Sequence, residues 1–235
     1  MSKHGFRLGA VRRLFGLLPR RWPCRWPRLL PCLLLASCSV LGSKPHAPLH
    51  SYTLDLAPNV VTPVVTPAPA QPMQGPVLLV EMPTAAAAYD STRMVYVRQP
   101  QTQEAYVNSA WADTPARLLA PLLLTRLQQS GVFAAVLLAP SAAKPDLRLD
   151  TTILRLQQDF LQVPSVVRLD MQFTVMDSGS HAVLAWRTVH IVQAAVSDDA
   201  RGGALASNIA VQAALREGVE FLASEVRGRK ATAVQ

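Results

Sequence analysis

The chain has 235 residues, half of them hydrophobic by type, with 23 Lys and Arg against 15 Asp and Glu. That excess invites a nucleic-acid reading, yet Lys3, Arg7, Arg12, Arg13, Arg20, Arg21, Arg25 and Arg28 all precede Cys38 and no acidic residue does. Without that segment the formal charge is zero and no basic patch with interleaved aromatics survives, so no nucleic-acid partner is expected.

The first element is an apolar run from Leu29 to Ser37, interrupted by Pro31. It is far shorter than the roughly 20 residues of a membrane span, and its arginine-rich approach suits a signal peptide. Leu35-Ala36-Ser37-Cys38 is the aliphatic, small, small, cysteine pattern that bacterial lipoprotein processing recognises. The chemistry requires a thiol, because a diacylglycerol is attached as a thioether before the bond between Ser37 and Cys38 is cut. Residues 1–37 are therefore expected to be a lipoprotein signal peptide, with cleavage at Ser37–Cys38 and lipid attachment at Cys38. Cys24 and Cys32 fall in the removed part, so the mature domain would have neither a disulfide nor a thiolate metal site. A diacylglycerol plus an N-acyl chain holds stably where one chain binds only marginally. The next residue is Ser39 rather than the aspartate that retains enterobacterial lipoproteins in the inner membrane. The expected address is the periplasmic face of the outer membrane, reached through the lipid anchor.

Residues 38–50 read as a lipidated tether, and 51–227 as one folded domain. Tyr52, Leu54 and Leu56 alternate with polar residues across 51–58, the period-2 signature of a half-buried strand. Residues 57–76 hold Pro58, Pro63, Pro67, Pro69, Pro72 and Pro76 and predict a semi-rigid loop. Strands are expected over 76–82, 93–99 and 103–111, forming a small meander, with 84–92 as a loop or one helical turn. Asp113 or Thr114 offers a cap, Pro115 suits a first helical turn and Gly131 a stop. Leu118, Leu119, Leu122, Leu123 and Leu127 then give a broad apolar stripe, more often core than ligand pocket. That helix tolerates Pro121 only near its first turn or with a kink.

A short strand is expected within 131–140. Across 146–160 the alternation Leu147, Leu149, Thr151, Ile153 changes phase to Leu154 and Leu156, which predicts a β-bulge. Residues 166–177 make the cleanest strand, with odd-numbered Val167, Leu169, Met171, Phe173 and Val175 on one face and Arg168, Asp170, Gln172 and Thr174 on the other. Asp177 to Ser180 is a turn with Gly179 available for positive φ, and 181–193 returns as the hairpin partner. A last helix is expected from about Gly203 to Val226, striped by Val211, Leu215, Val219, Leu222 and Val226. Residues 228–235 should fray. With one apolar face per helix, the expected fold is α+β: a two-layer sandwich of a mixed, mainly antiparallel sheet with two helices on one face.

No catalytic constellation is found, and no cofactor or metal is expected beyond the covalent lipid. His181 lies beside a turn and His190 along a strand, where surface roles are the ordinary ones. Ser180 and His181 are sequence neighbours, which does not make a nucleophile–base pair. Arg201-Gly202-Gly203 could cradle an anion at a helix start, and Asp198-Asp199 could meet a metal, but a loop junction accounts for both.

The order of these elements resembles the ABC-type transport auxiliary lipoprotein family. The matching stretches are Leu35 to Cys38, "SYTLDL", "GPVLLVEMP", "YDSTRMVYVRQ", "SAWADTPARLLAPLLLTRLQQSGVF", "PDLRLDTTILRLQQDF", "VVRLDMQFTVMDSG" and "AALREGVEFLASEV". The resemblance spans nearly all of 50–226 and implies a non-enzymatic outer-membrane lipoprotein of an Mce (Pqi-like) intermembrane lipid transport system. Its implied partners are an Mce-domain periplasmic protein with its permease and ATPase. Self-association, or docking on such a partner, is expected through the exposed sheet face or an edge, by Arg168, Gln172 and the even-numbered residues of 183–192. The alternative is an independent periplasmic lipoprotein with an enzymatic or cell-wall-binding role.

Overall fold

The computed structural model describes residues 48–55 and 75–232. Ser37, Cys38 and nearly all of the Pro-rich segment lie outside the described residues. The centre of the domain is a 13-residue strand, β7 (Leu147–Asp159), and its neighbours explain the topology. Strands β8 (Val166–Asp177) and β9 (Val183–Ala194) follow it as an antiparallel meander on one edge. The other edge is shared end to end by three short parallel strands. These are β2 (Val77–Val80) beside Leu147–Leu149, β3 (Thr84–Ala85) beside Thr152–Ile153, and β4 (Arg93–Gln99) beside Gln158–Asp159. Strand β5 (Thr102–Trp111) pairs antiparallel with β4, β1 (His50–Tyr52) runs parallel to β5, and β6 (Ala135–Leu138) runs parallel to β2.

The expected meander of 76–82, 93–99 and 103–111 is therefore corrected. The last two do form a hairpin, but β2 and β4 line up along β7 rather than beside each other. Both short strands find in β7 a partner long enough to satisfy them in succession. Residues 84–85, expected in a loop or helical turn, fill the gap between them as β3. The first strand is also shorter than its alternation suggests, ending at Tyr52, although Leu54 is buried.

The phase change in β7 is the expected bulge. Register slips between Ile153 and Arg155, leaving Leu154 exposed while Ile153 and Leu156 both point into the core. In β8 Val167, Leu169, Met171, Phe173 and Val175 are all at most 2 % exposed. They face α2 (Ala200–Thr232), which carries Val211, Leu215, Leu222 and Val226 inward. Helix α1 (Pro115–Gln129) adds Leu119, Leu122, Leu123 and Leu127 to the same core. The two helices touch one another, so both lie on one face of one mixed sheet. Pro121, exposed, does not end α1: the missing donor faces solvent, where water can replace it. Gly131, at φ +65°, supplies the stop.

Helix α2 is longer at both ends than its stripe predicts. It starts three residues early because Asp199 caps it, Oδ1 accepting the Gly202 N–H at 2.7 Å. In the 177–182 turn the positive φ falls on His181 (φ 59°), not on Gly179. Asp177 is the reason: its Oδ1 accepts from the Gly179 N–H, the Ser180 N–H and the Ser180 hydroxyl, at 3.1, 2.9 and 2.9 Å. That wrap fixes the first residues of the turn and leaves the left-handed step to residue 181.

Candidate interaction surface

The sheet face away from the helices carries the even-numbered residues of β8, in register with even-numbered residues of β9. Sequence alternation predicts such a face but not its chemistry. Arg148 Nε lies 3.2 Å from Glu81 Oε1 and 3.1 Å from Asp150 Oδ1. Arg155 Nε lies 3.1 Å from Asp170 Oδ2, whose Oδ1 is 2.8 Å from His190 Nδ1. Arg168 Nε donates to Asp159 Oδ2 at 2.6 Å. Tyr89 donates to Gln157 Oε1 at 2.7 Å and accepts from Gln103 Nε2 at 2.9 Å, and burial pushes its phenol above the ordinary range. The middle of this face is thus a cross-strand lattice of paired charges, not the apolar patch expected of an interface.

Apolar exposure moves to the edge. Among the described residues β9 pairs only with β8, so one side of a 12-residue strand has free backbone donors and acceptors. Trp186 is 63 % exposed there, and Val183 and Val192 are exposed with it. Arg187 points the other way and sets its guanidinium 4.9 Å from the Phe221 ring centroid, holding the edge to α2.

The sequence-level chemical candidates resolve into structural contacts. The Ser180 hydroxyl is taken by Asp177. Asp198 Oδ1 accepts the Ser165 N–H at 2.9 Å, and Asp199 occupies the α2 terminus at Gly202 where an anion would have bound. Hydrogen bonds from Ser165 to Asp198, and from the Gly202 amide to Asp199, hold both carboxyls below the usual range. Among the described residues no three His, Cys, Asp or Glu side chains converge as a metal site, and no helix is long and apolar enough to cross a membrane.

Two features escape sequence reasoning altogether. The first is a buried polar knot at the end of β7: Gln158 accepts from the Tyr106 hydroxyl and donates to Ser165 Oγ, each at 2.9 Å. Gly203 presses on that amide, where a Cβ would overlap the Gln158 side chain, and burial raises the Tyr106 phenol. The second is an open groove of about 360 Å³ between α1 and α2, lined by Arg126, Gln129, Gln212, Arg216 and Val219. Neither shows in periodicity, because each is assembled from residues far apart in the chain.

Residues 52–218 match the family model described as "ABC-type transport auxiliary lipoprotein component". The chain belongs to this family. Its fold is also that of a crystallised protein from Xanthomonas campestris assigned to DUF330. That likeness has a TM-score of 0.64 at 23% identity and covers 80% of this chain and 99% of that one. A second crystallised protein, described as uncharacterized, is similar at a TM-score of 0.55 and 15% identity, covering 76% of this chain and 99% of its own. No curated protein is significantly similar in sequence. The auxiliary-lipoprotein family therefore fixes the general class, a component of ABC-type transport, and the solved structures fix the fold.

Proposed function

We propose that this auxiliary lipoprotein is a non-catalytic coupling component held in the outer membrane through a diacylglycerol and an N-acyl chain on Cys38. On this reading it faces the periplasm and joins an Mce-domain protein, with its permease and ATPase, to that membrane. The observation that carries the reading is the pairing of a family match over 52–218 with the Leu35 to Cys38 pattern. The outer edge of β9, unpaired among the described residues, supports it, since such an edge with an exposed Trp186 favours another chain's strand or apolar side chain. The lattice of paired charges on the adjoining face would then fix register more than strength.

Co-purification from detergent-extracted membranes tests this. Wild-type chain should recover the Mce-domain protein together with permease and ATPase, and Cys38→Ala should yield no acylated mass on intact-mass analysis. Trp186→Lys with Val192→Lys should abolish recovery while acylation and the thermal melt stay as in wild type. Wild-type recovery by that double variant would place docking elsewhere than β9.

A further inference from the structure

We infer that the end of the sheet at which β7 finishes is a bilayer-docking tip, inserted among the lipids of the membrane that holds Cys38. The inference rests on the lipidation reading above and goes beyond it by assigning which part of the fold touches lipid. Strand direction sets the geometry. β4 runs parallel to β7, β5 antiparallel to β4, and β1 parallel to β5. β1 therefore runs opposite to β7, and the chain reaches it through Leu49 from the end where β7 stops.

That same end gathers exposed apolar side chains from three connections distant in sequence. The β7–β8 loop presents Leu161 at 51 % and Val163 at 91 % exposure. The β9–α2 link presents Val196 at 73 %, the first turns of α2 add Leu205, and Leu49 and Val107 are exposed beside the entering strand. The turn at the opposite end is polar apart from the exposed Val183 that follows it, with Asp177, Ser178, Ser180 and His181 in it and Arg229 Nη2 3.5 Å from Asp177 Oδ2.

The tip is held rigidly. Phe160 N–H donates to Val97 O at 2.9 Å, Leu161 N–H to Asp159 Oδ1 at 2.8 Å, and Ser165 N–H to Asp198 Oδ1 at 2.9 Å. Leu161 and Val163 are thus displayed to solvent on a pinned loop at the end that also exposes Val196 and Leu49, and apolar exposure gathered at one end marks a surface with a partner. The chain between Cys38 and Leu49 keeps lipid near this end. Fully extended it reaches at most roughly 40 Å, so the end of the domain where it enters stays within reach of the lipid headgroups. Of the carboxylates at this end Asp159 is paired with Arg168, Glu104 accepts from the Tyr96 hydroxyl, and the exposed Asp198 and Asp199 stay ionised on backbone amides. Arg98, exposed over the Tyr96 and Phe160 rings, is left to meet lipid phosphate.

The test uses the full chain, matured and acylated in cells and reconstituted into phosphatidylethanolamine–phosphatidylglycerol vesicles. In it a Val163→Cys variant carries an environment-sensitive fluorophore. Once residues 1–37 are removed and Cys38 is acylated, the introduced cysteine is the one labelling thiol. Val163→Cys should show a blue-shifted, several-fold brighter emission that bilayer-restricted quenchers diminish, whereas Ser180→Cys at the far end should show neither. Both variants should melt as wild type does. An acylated, vesicle-bound chain whose Val163→Cys probe stays as wet as Ser180→Cys overturns the docking tip alone. A probe shielded only when the transporter complex is added overturns it in favour of a protein contact. An unacylated intact mass overturns the lipidation reading and the tip together.

Discussion

Asp159 is 4 % exposed, yet it carries a carboxylate that the sequence places on an ordinary strand end. Arg168 engages one of its oxygens and the Leu161 N–H the other. Alternation alone marks Arg168 as a solvent-facing residue whose loss costs well under 1 kcal/mol. The structure revises that figure, because Arg168→Ala would strand a buried carboxylate and should cost about 1.5–3 kcal/mol. Phe173→Ala, which empties a fully buried aromatic site, should cost about 3–5 kcal/mol. Urea unfolding at neutral pH should therefore rank Phe173→Ala above Arg168→Ala, and Arg168→Ala above Arg168→Gln. Which face a residue occupies was legible in the spacing of 166–177. That Arg168 reaches diagonally across the strand pair to Asp159 needs the hairpin register, and spacing within one strand does not carry it.

At the level of elements, α2 holds an internal comparison. Ordinary helix propensity makes Gly→Ala favourable by about 1 kcal/mol. At Gly228 an added Cβ meets nothing within 4 Å, so Gly228→Ala should raise stability by about 0.5–1 kcal/mol. At Gly218 the same Cβ would sit 2.5 Å from Phe173 Cζ, and that ring is walled in by β7 and β9. Gly218→Ala should destabilise despite its better propensity, by about 1–3 kcal/mol as for other overpacked cores. Pairing it with Phe173→Leu should return part of the loss, which thermal melts of the two single variants and the double would show. Elements with strong periodicity, α1, β8 and the bulge at Leu154, could be read in advance. The two-residue β3 and the early start of α2 could not. The first has no pattern of its own, and the second depends on Asp199, which looks like a loop residue until the helix it caps is seen.

For the whole molecule, charge neutrality after residue 37 goes with cross-strand pairing of the charges on the sheet face away from the helices. Glu81, Arg148 and Asp150 form one group, and Arg155, Asp170 and His190 another. A truncated chain beginning near His50 should therefore leave heparin at low salt. Retention above about 0.3 M salt would mean that the arginines are less fully paired in solution than the cross-strand geometry makes them. The sandwich class was readable from two striped helices and several alternating strands. The strand order was not, since three separate segments compete for one edge of β7 and only tertiary packing ranks them.

That shared edge has a consequence for how the chain comes into being. β7, β8 and β9 are consecutive and closed by short turns, so their contacts form quickly, whereas β2, β3 and β4 must wait for a partner about 60–70 residues further along. A chain emerging amino-terminus first from a ribosome or a translocation pore therefore delivers its early strands with no completed sheet to join. Until residues 147–159 appear, β4 has β5 and β2 has β6 to pair with. The last 90 or so residues then supply the long strand, its hairpins and α2 in one continuous stretch, and the waiting segments zip onto β7 from both ends.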